Sequence, residues 1–278
     1  MMIIKRIKQV KKIIGLKRRQ GKTIGFVPTM GSLHEGHVSL VRIAKKKSDF
    51  VVVSIFVNPT QFGPSEDFKR YPRDLKRDCR LLKKEGVDVV FFPPVKEIYP
   101  SGYKTYVEVT SLSNVLCGAS RPGHFRGVTT VVLKLFNIIK PDIAVFGIKD
   151  FQQCAILKKM AKDLDLDIKI LTGPTVREKD GLAMSSRNIY LSKTHRQNAA
   201  VLSQALRWAK KAVQAGVHDA DGIIKKMTAM IQKKQGKIDY IETVDQDSLA
   251  RVKKLQSNVL IVLAVYFGKT RLIDNIVV

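Results

Sequence analysis

Thr23 to Val57, TIGFVPTMGSLHEGHVSLVRIAKKKSDFVVVSIFV, decides the fold. Thr23 to Val27 is short, apolar and β-branched, and it runs into Pro28 and Gly31, which punctuate a turn. Helical patterning resumes over Gly36 to Lys45. Asp49 to Val57 is then apolar at successive positions, as expected of a parallel strand covered by helices on both faces. The order β, α, β predicts parallel strands joined by a right-handed crossover.

Working outward, the same rhythm recurs. Residues 3 to 20 place Ile3, Ile4, Ile7, Val10, Ile13 and Ile14 at helical spacing, with Gly21 as a stop signal. Helix Leu75 to Glu85 precedes strand Val87 to Phe92, which ends at Pro93-Pro94. Helix Val128 to Ile139, strand Ile143 to Phe146, helix Phe151 to Leu164 and strand Ile168 to Leu171 follow. Strands alternating with helices of this length predict a Rossmann-like, doubly wound parallel sheet over residues 1–175. Composition changes after Thr172-Gly173-Pro174. Residues 195 to 215 read as one helix, Ile223 to Lys233 as another, and Ile238 to Val244, Val259 to Phe267 and Leu272 to Val277 as strands. The expectation for residues 176–278 is a smaller α+β C-terminal domain.

The 278 residues carry 50 Lys+Arg against 24 Asp+Glu, a net charge of +26. That balance raises nucleic acid, acidic lipid or a polyphosphate as partners. No recognisable nucleic-acid module or stacking array of aromatics appears, and the basic residues are scattered singly. The apolar run Val259 to Phe267 is far short of the roughly 20 residues that span a bilayer, so no membrane partner is expected. The basic N-terminus lacks the apolar core and cleavage site of a secretory signal. Cys79, Cys117 and Cys154 form no C-x-x-C pair and fit reduced thiols in a cytoplasmic protein.

In an open parallel sheet, ligands bind outside the carboxyl ends of the strands, and four polar clusters fall there. Met30-Gly31-Ser32-Leu33-His34-Glu35-Gly36-His37 follows the first strand, with two histidines in the first turn of a helix whose free N–H groups favour an anion. A helix cap and a packed imidazole would explain the histidines alone. A zinc site lacks a third ligand at a recognisable spacing, so no protein-held metal is expected. Asn58-Pro59-Thr60-Gln61-Phe62 ends the next strand, where the amides can read hydroxyl and carboxylate groups and Phe62 can wall off an apolar portion; read singly, it is a turn. Gly147-Ile148-Lys149-Asp150 supplies a close backbone approach, a point charge for phosphate and an acceptor for a ribose hydroxyl, or simply a turn and cap. Val176 to Asn188 joins a tight turn to Ser185, Ser186 and Arg187, which can clamp a triphosphate or serve as a linker. Their joint placement favours a nucleotide site.

PTMGSLHEGH (28–37), SIFVNPTQF (54–62), RPGHFRGV (121–128), GIKDFQQ (147–153), REKDGLAMSSRN (177–188) and GKTRLIDNI (268–276) together resemble the pantothenate synthetase (pantoate:β-alanine ligase) family, in order over nearly the whole chain. The resemblance implies a homodimer whose smaller domain closes over ATP. It implies Mg²⁺-dependent activation of pantoate to a pantoyl-adenylate with release of pyrophosphate, then attack by β-alanine to give pantothenate and AMP. Position by position it implies Met30 to His37, Gly147 to Asp150, Val176 and Met184 to Arg187 as ATP-binding, with His34, His37, Lys149 and Arg187 catalytic. Gln61 and Gln153 correspond to the pantoate-binding glutamines, Gln61 also lying near the β-alanine site; Asn58 is their neighbour, and Arg121 and His124 line the same pocket. Ile148 stands where the family commonly has Glu or Gln, so only a backbone contact is expected of it. Rival readings are a nucleic-acid-binding protein with a vestigial nucleotide fold, and a nucleotidyltransferase acting on another acid.

Overall fold

The computed structural model describes residues 1–64, 66–255 and 258–278. Its first layer runs β1 (Met2–Ile4), α1 (Ile7–Arg19), β2 (Ile24–Thr29), α2 (Glu35–Lys47), β3 (Phe50–Ile55), α3 (Leu75–Lys84), β4 (Val89–Phe91), the short α4 (Val95–Ile98) and α5 (Cys117–Ser120), α6 (His124–Ile139), β5 (Ile143–Gly147), α7 (Phe151–Asp163) and β6 (Lys169–Gly173). The six strands are all parallel, in the order β1-β4-β3-β2-β5-β6. The chain therefore leaves β2 toward β3 on one side and β5 toward β6 on the other, which opens a crevice between the ends of β2 and β5.

Successive strand residues face opposite ways, and the core divides accordingly. Phe26, Val52, Phe91, Ala144 and Phe146 pack with α1, α6 and α7, while Val27, Val53, Val90 and Val145 pack with α2 and α3. Burial on both faces is why β3 (FVVVSI) reads as apolar at every position but Ser54.

The first twenty residues differ from the expected single helix. Met2–Ile4 pairs with β4 as the sheet edge, and α1 begins only at Ile7, whose backbone N–H donates to Glu97 Oε1 at 2.8 Å. Ile3 and Ile4 satisfy both periods, and their partner strand is far away in sequence, so local spacing cannot choose between them.

The second layer holds α8 (Lys193–Ala199), α9 (Val201–Gln214), α10 (Ala220–Lys233) and an antiparallel sheet β7-β8-β9, formed by Lys237–Asp245, Val259–Phe267 and Thr270–Val277. The helix expected over 195–215 is interrupted at Ala200, where α8 and α9 meet. Ile261, Leu263, Val265 and Phe267 pack with α9 and α10, whereas Leu260 and Val262 join the core of the first layer. Both faces of β8 are thus buried, one of them in the core that α6 and α7 also share. The fold is Rossmann-like with a smaller α+β unit.

Phe26 is fully buried, with its ring edge-on to Phe136 at 6.4 Å. Phe26→Ala is expected to lower unfolding free energy by about 3–5 kcal/mol, read as a shift in the urea midpoint without a change in slope.

Candidate active site

Between β2 and α2 the backbone turns through Gly31 (φ 82°) and Ser32 (φ 51°). A Cβ at Gly31 would stand 3.0 Å from Ile55 Cγ2 and 3.1 Å from Asp78 Oδ2, so the position takes only glycine comfortably. Asp78, on α3 and 1% exposed, holds this loop: its two oxygens accept from the N–H groups of Ser32 and Leu33, each at 2.8 Å. His34 then caps α2. Its Nδ1 accepts from the Gly36 N–H at 3.1 Å, and His37 Nδ1 accepts from the His34 N–H at 3.3 Å.

A backbone N–H can only donate, so both Nδ1 atoms are bare and each neutral ring carries its proton on Nε2. The rings lie 4.1 Å apart, centroid to centroid. Burial pushes His34 down to about 4, and the nearby Lys149 ammonium opposes its charging further. Burial likewise pushes His37 down to about 3, with His34 and Lys149 adding to the effect. The pair is two neutral donors.

At the end of β3, Asn58 is 1% exposed and its amide is fully engaged. Nδ2 donates to Gln61 Oε1 and Gly127 O, both at 3.0 Å, while Oδ1 accepts from Thr60 Oγ1 at 3.0 Å and Tyr99 OH at 2.8 Å. Asn58 therefore orients Gln61 and has no donor to spare. The turn sits directly on α6: a Cβ at Gly127 would come within 2.3 Å of Thr60 O. His124, on the same helix, donates from Nδ1 to Gln61 O at 2.8 Å and accepts at Nε2 from Arg121 Nη1 at 3.0 Å. Burial, then Arg121, pushes His124 down to about 4. Arg121 is paired in bidentate fashion with Glu66, at 2.7 Å on both oxygens.

Beyond β5, a single 3₁₀ turn (Ile148–Asp150) presents Lys149 and Asp150. Lys149 makes no ion pair among the described residues, in contrast to Arg187, whose Nε and Nη2 donate to Asp67 at 3.0 and 2.9 Å. Of the two glutamines that open α7, Gln152 is consumed by the backbone of Leu112, Val115 and Cys117. The Gln153 side chain makes no hydrogen bond to the described residues and lines the cavity. Ser186 donates to Ser32 O at 3.0 Å and so ties the 176–187 segment to the β2–α2 loop. Ser185 Oγ accepts from the Arg187 N–H at 3.2 Å and keeps its own proton free.

These elements enclose a cavity of about 250 Å³. Its wall includes Met30, His34, Gly36, His37, Asn58, Gln61, Arg121, His124, Gly147, Lys149, Asp150, Gln153, Val176 and Met184 to Arg187. Gly31, Ser32, Leu33, Glu35 and Ile148 are not on it. Gly31 makes the turn, and the Ser32 and Leu33 amides are held by Asp78. Leu33 is buried in the core, Glu35 points outward to Arg42, and Ile148 offers its carbonyl to Asn275. Phe62 is also off the wall, packed on Phe68 and Tyr71.

A model of the pantoate-beta-alanine ligase family matches residues 2–277. The chain belongs to this ligase family. Pantothenate synthetases of Acetivibrio thermocellus and Caldicellulosiruptor bescii are 56% and 55% identical to it, each over 100% of this chain and 99% of their own length. Among solved structures, a pantothenate synthetase from Thermus thermophilus superposes with a TM-score of 0.94 at 41% identity, covering 99% of both chains. The Francisella tularensis pantoate-beta-alanine ligase complexed with beta-gamma ATP and beta-alanine gives 0.85 at 41% identity, covering 100% of this chain and 97% of that one.

Within this ligase fold, several wall residues carry no polar signal in the sequence. Val128, Val131, Val132 and Leu135 recur at helical spacing along α6 and read as ordinary core, yet they form the apolar side of the cavity. The only local hint is that α6 is apolar around most of its circumference. Among the described residues no three His, Cys, Asp or Glu side chains gather as a metal cage, and Asp150 is the one carboxylate on the wall. That donor set fits Mg²⁺, which keeps its waters and needs only a carboxylate or two beside substrate phosphates.

The three depressed histidines should remain neutral from pH 8 down to about pH 5. Two-dimensional ¹⁵N imidazole spectra are expected to show Nε2–H tautomers for His34 and His37 and the Nδ1–H tautomer for His124, without titration in that window. Their contribution to stability is complete above the unfolded value of about 6.5 and is lost as pH falls toward about 4, because the unfolded chain binds the protons first. A ring titrating near 6.5 in the folded protein would contradict the assignment.

Proposed function

We propose that this cavity binds ATP beside pantoate, and that the protein condenses pantoate with β-alanine to pantothenate, releasing AMP and pyrophosphate. A carboxylate is a poor acyl donor because oxide will not leave. In the first step a pantoate carboxylate oxygen attacks the α-phosphorus, and the bond to the pyrophosphate oxygen breaks. In the second, the β-alanine amine attacks the acyl carbon of the pantoyl-adenylate, loses a proton, and AMP departs.

The observation that carries this reading is the shared wall: two neutral Nε2–H imidazoles, Lys149 with no ion pair among the described residues, two glutamine side chains and an apolar helix face all line one cavity. Lys149 and the two imidazoles would stabilise charge on the departing pyrophosphate. Arg187 would join them by exchanging Asp67 for phosphate. Gln61 and Gln153 would hold pantoate, whose branched carbon would lie on Val128, Val131, Val132 and Leu135. Met30, Gly147, Val176, Met184 and Ser185 would line the nucleotide, with Asp150 near its ribose. Mg²⁺ would arrive on the triphosphate and offset its charge, and Asp150, the carboxylate among the described wall residues, would be the side chain available to hold it.

Residues 1–175 would bind nucleotide and pantoate, and residues 176–278 would close over ATP. The three free cysteines, two of them buried, support a cytoplasmic location, and no described helix is long and apolar enough to cross a membrane. The homodimer implied by the resemblance belongs to the same reading: sedimentation in dilute solution is expected to give twice the chain mass, and a clean monomer would remove it.

Purified protein should release pyrophosphate and AMP only with pantoate present, and pantothenate only after β-alanine is added. ADP as product, or equal turnover of other hydroxy acids, would overturn the assignment. His37→Ala is expected to lower the pyrophosphate-release rate by about 10² or more; near-normal turnover would rule out its role.

A further inference from the structure

Asn275 stands on β9, more than a hundred residues along the chain from the Lys149 turn, and its side chain ends there. Both hydrogens of its amide are donated to that turn, to Ile148 O at 3.0 Å and Lys149 O at 2.8 Å. No other side chain among the described residues donates to either carbonyl. This 3₁₀ turn runs directly into α7, and 3₁₀ hydrogen-bond geometry is poorer than that of the helix it leads into, so an outside clamp on two successive carbonyls fixes the direction in which Lys149 leaves the backbone.

The preceding residue makes the complementary tie. Asp274 is 3% exposed and pairs with Arg177 at 2.6 and 3.0 Å. Arg177 also donates to Gly181 O at 3.1 Å and bridges to Ala183, which shapes the segment leading into Met184 to Arg187. Adjacent residues of a strand project to opposite faces. The Asp274-Asn275 dipeptide thus fastens β9 to the Lys149 turn with one side chain and to the 176–187 segment with the other.

We propose that Asn275 is a positioning residue for Lys149: it holds the ammonium where nucleotide phosphates are bound, while Asp274 fixes the facing wall to the same strand. This rests on the nucleotide site described above. It requires no contact between Asn275 and substrate.

The test is a double-mutant cycle in the full chain, with binding of a non-hydrolysable β,γ ATP analogue plus Mg²⁺ measured by calorimetry. Asn275→Leu keeps the side-chain shape and removes both donors; Asn275→Ala is read in parallel in case the first folds poorly. Each is expected to weaken analogue binding about tenfold, equivalent to about 1.4 kcal/mol, while pantoate affinity without nucleotide stays within about twofold. The decisive reading is the combination with Lys149→Ala: the double variant should bind the analogue no more weakly than Lys149→Ala alone, since residues acting as one unit are not additive. Multiplied losses, a parallel fall in pantoate affinity, or unchanged analogue binding in the single variants would overturn the proposal. Unsubstituted protein that binds the analogue but makes no pyrophosphate from pantoate would sink the ligase reading and leave the role of Asn275 intact. Absence of analogue binding would sink both.

Discussion

Everything in the cavity depends on the divergence of the chain at the carboxyl ends of β2 and β5. Because β2 continues to one side of the sheet and β5 to the other, no connection crosses the gap between them, and the start of α2 is left facing it. Unpaired N–H groups at a helix start favour negative charge. His34 and His37 take up two of those N–H groups with Nδ1, and this choice commits the outward proton to Nε2. One capping arrangement therefore fixes the helix, the tautomers and the donors presented to a ligand.

The electrostatics follow from the same arrangement. Two imidazolium rings with centroids 4.1 Å apart beside an ammonium would repel one another, and both rings are neutral because burial and Lys149 make charging costly. The free positive charge on the wall is concentrated in Lys149. Arg121 and Arg187 are neutralised by Glu66 and Asp67, neighbours on one loop. Before any ligand arrives, the wall thus holds, among the described residues, one unpaired cation, preset neutral donors and two arginines whose carboxylate partners occupy the geometry a phosphate would take.

The parts of this arrangement that are legible in the sequence are those with a local signature. Strands β2, β3, β5 and β8 announce themselves as apolar runs, and the histidine pair, the Lys149 turn and the Ser185-Ser186-Arg187 segment fall at strand ends, where chemistry is expected. Edge strand β1 is hidden because Met2–Ile4 has no partner until β4. Asp78 is hidden for a related reason: it sits in the amphipathic α3, and its two acceptors act on a loop 45 residues earlier. The valines of α6 read as plain core because a cavity wall and a core face demand the same residue types. Side chains that act on distant backbone leave no periodic or motif trace; the distinction between Gln152, spent on backbone, and Gln153, free at the wall, needs coordinates.

The net charge of +26 takes on a different sense once the cavity is known. If the basic residues served a polyanion along an extended surface, they would be expected in a stripe with aromatics between them; they are instead dispersed over α1, α2, α3 and the C-terminal helices. A dispersed excess produces a broad positive field that draws small anions from every direction and is screened within about 10 Å at 0.1 M salt. Such a field can raise the rate of encounter, yet it cannot select between anions of equal charge. In the proposed function, selection would fall to the short-range groups of the cavity. There the three neutral rings and the Gln61 amide are held by backbone or buried partners, and the Lys149 turn is clamped by Asn275. Discrimination there would rest on hydrogen-bond geometry, which the surface charge does not supply.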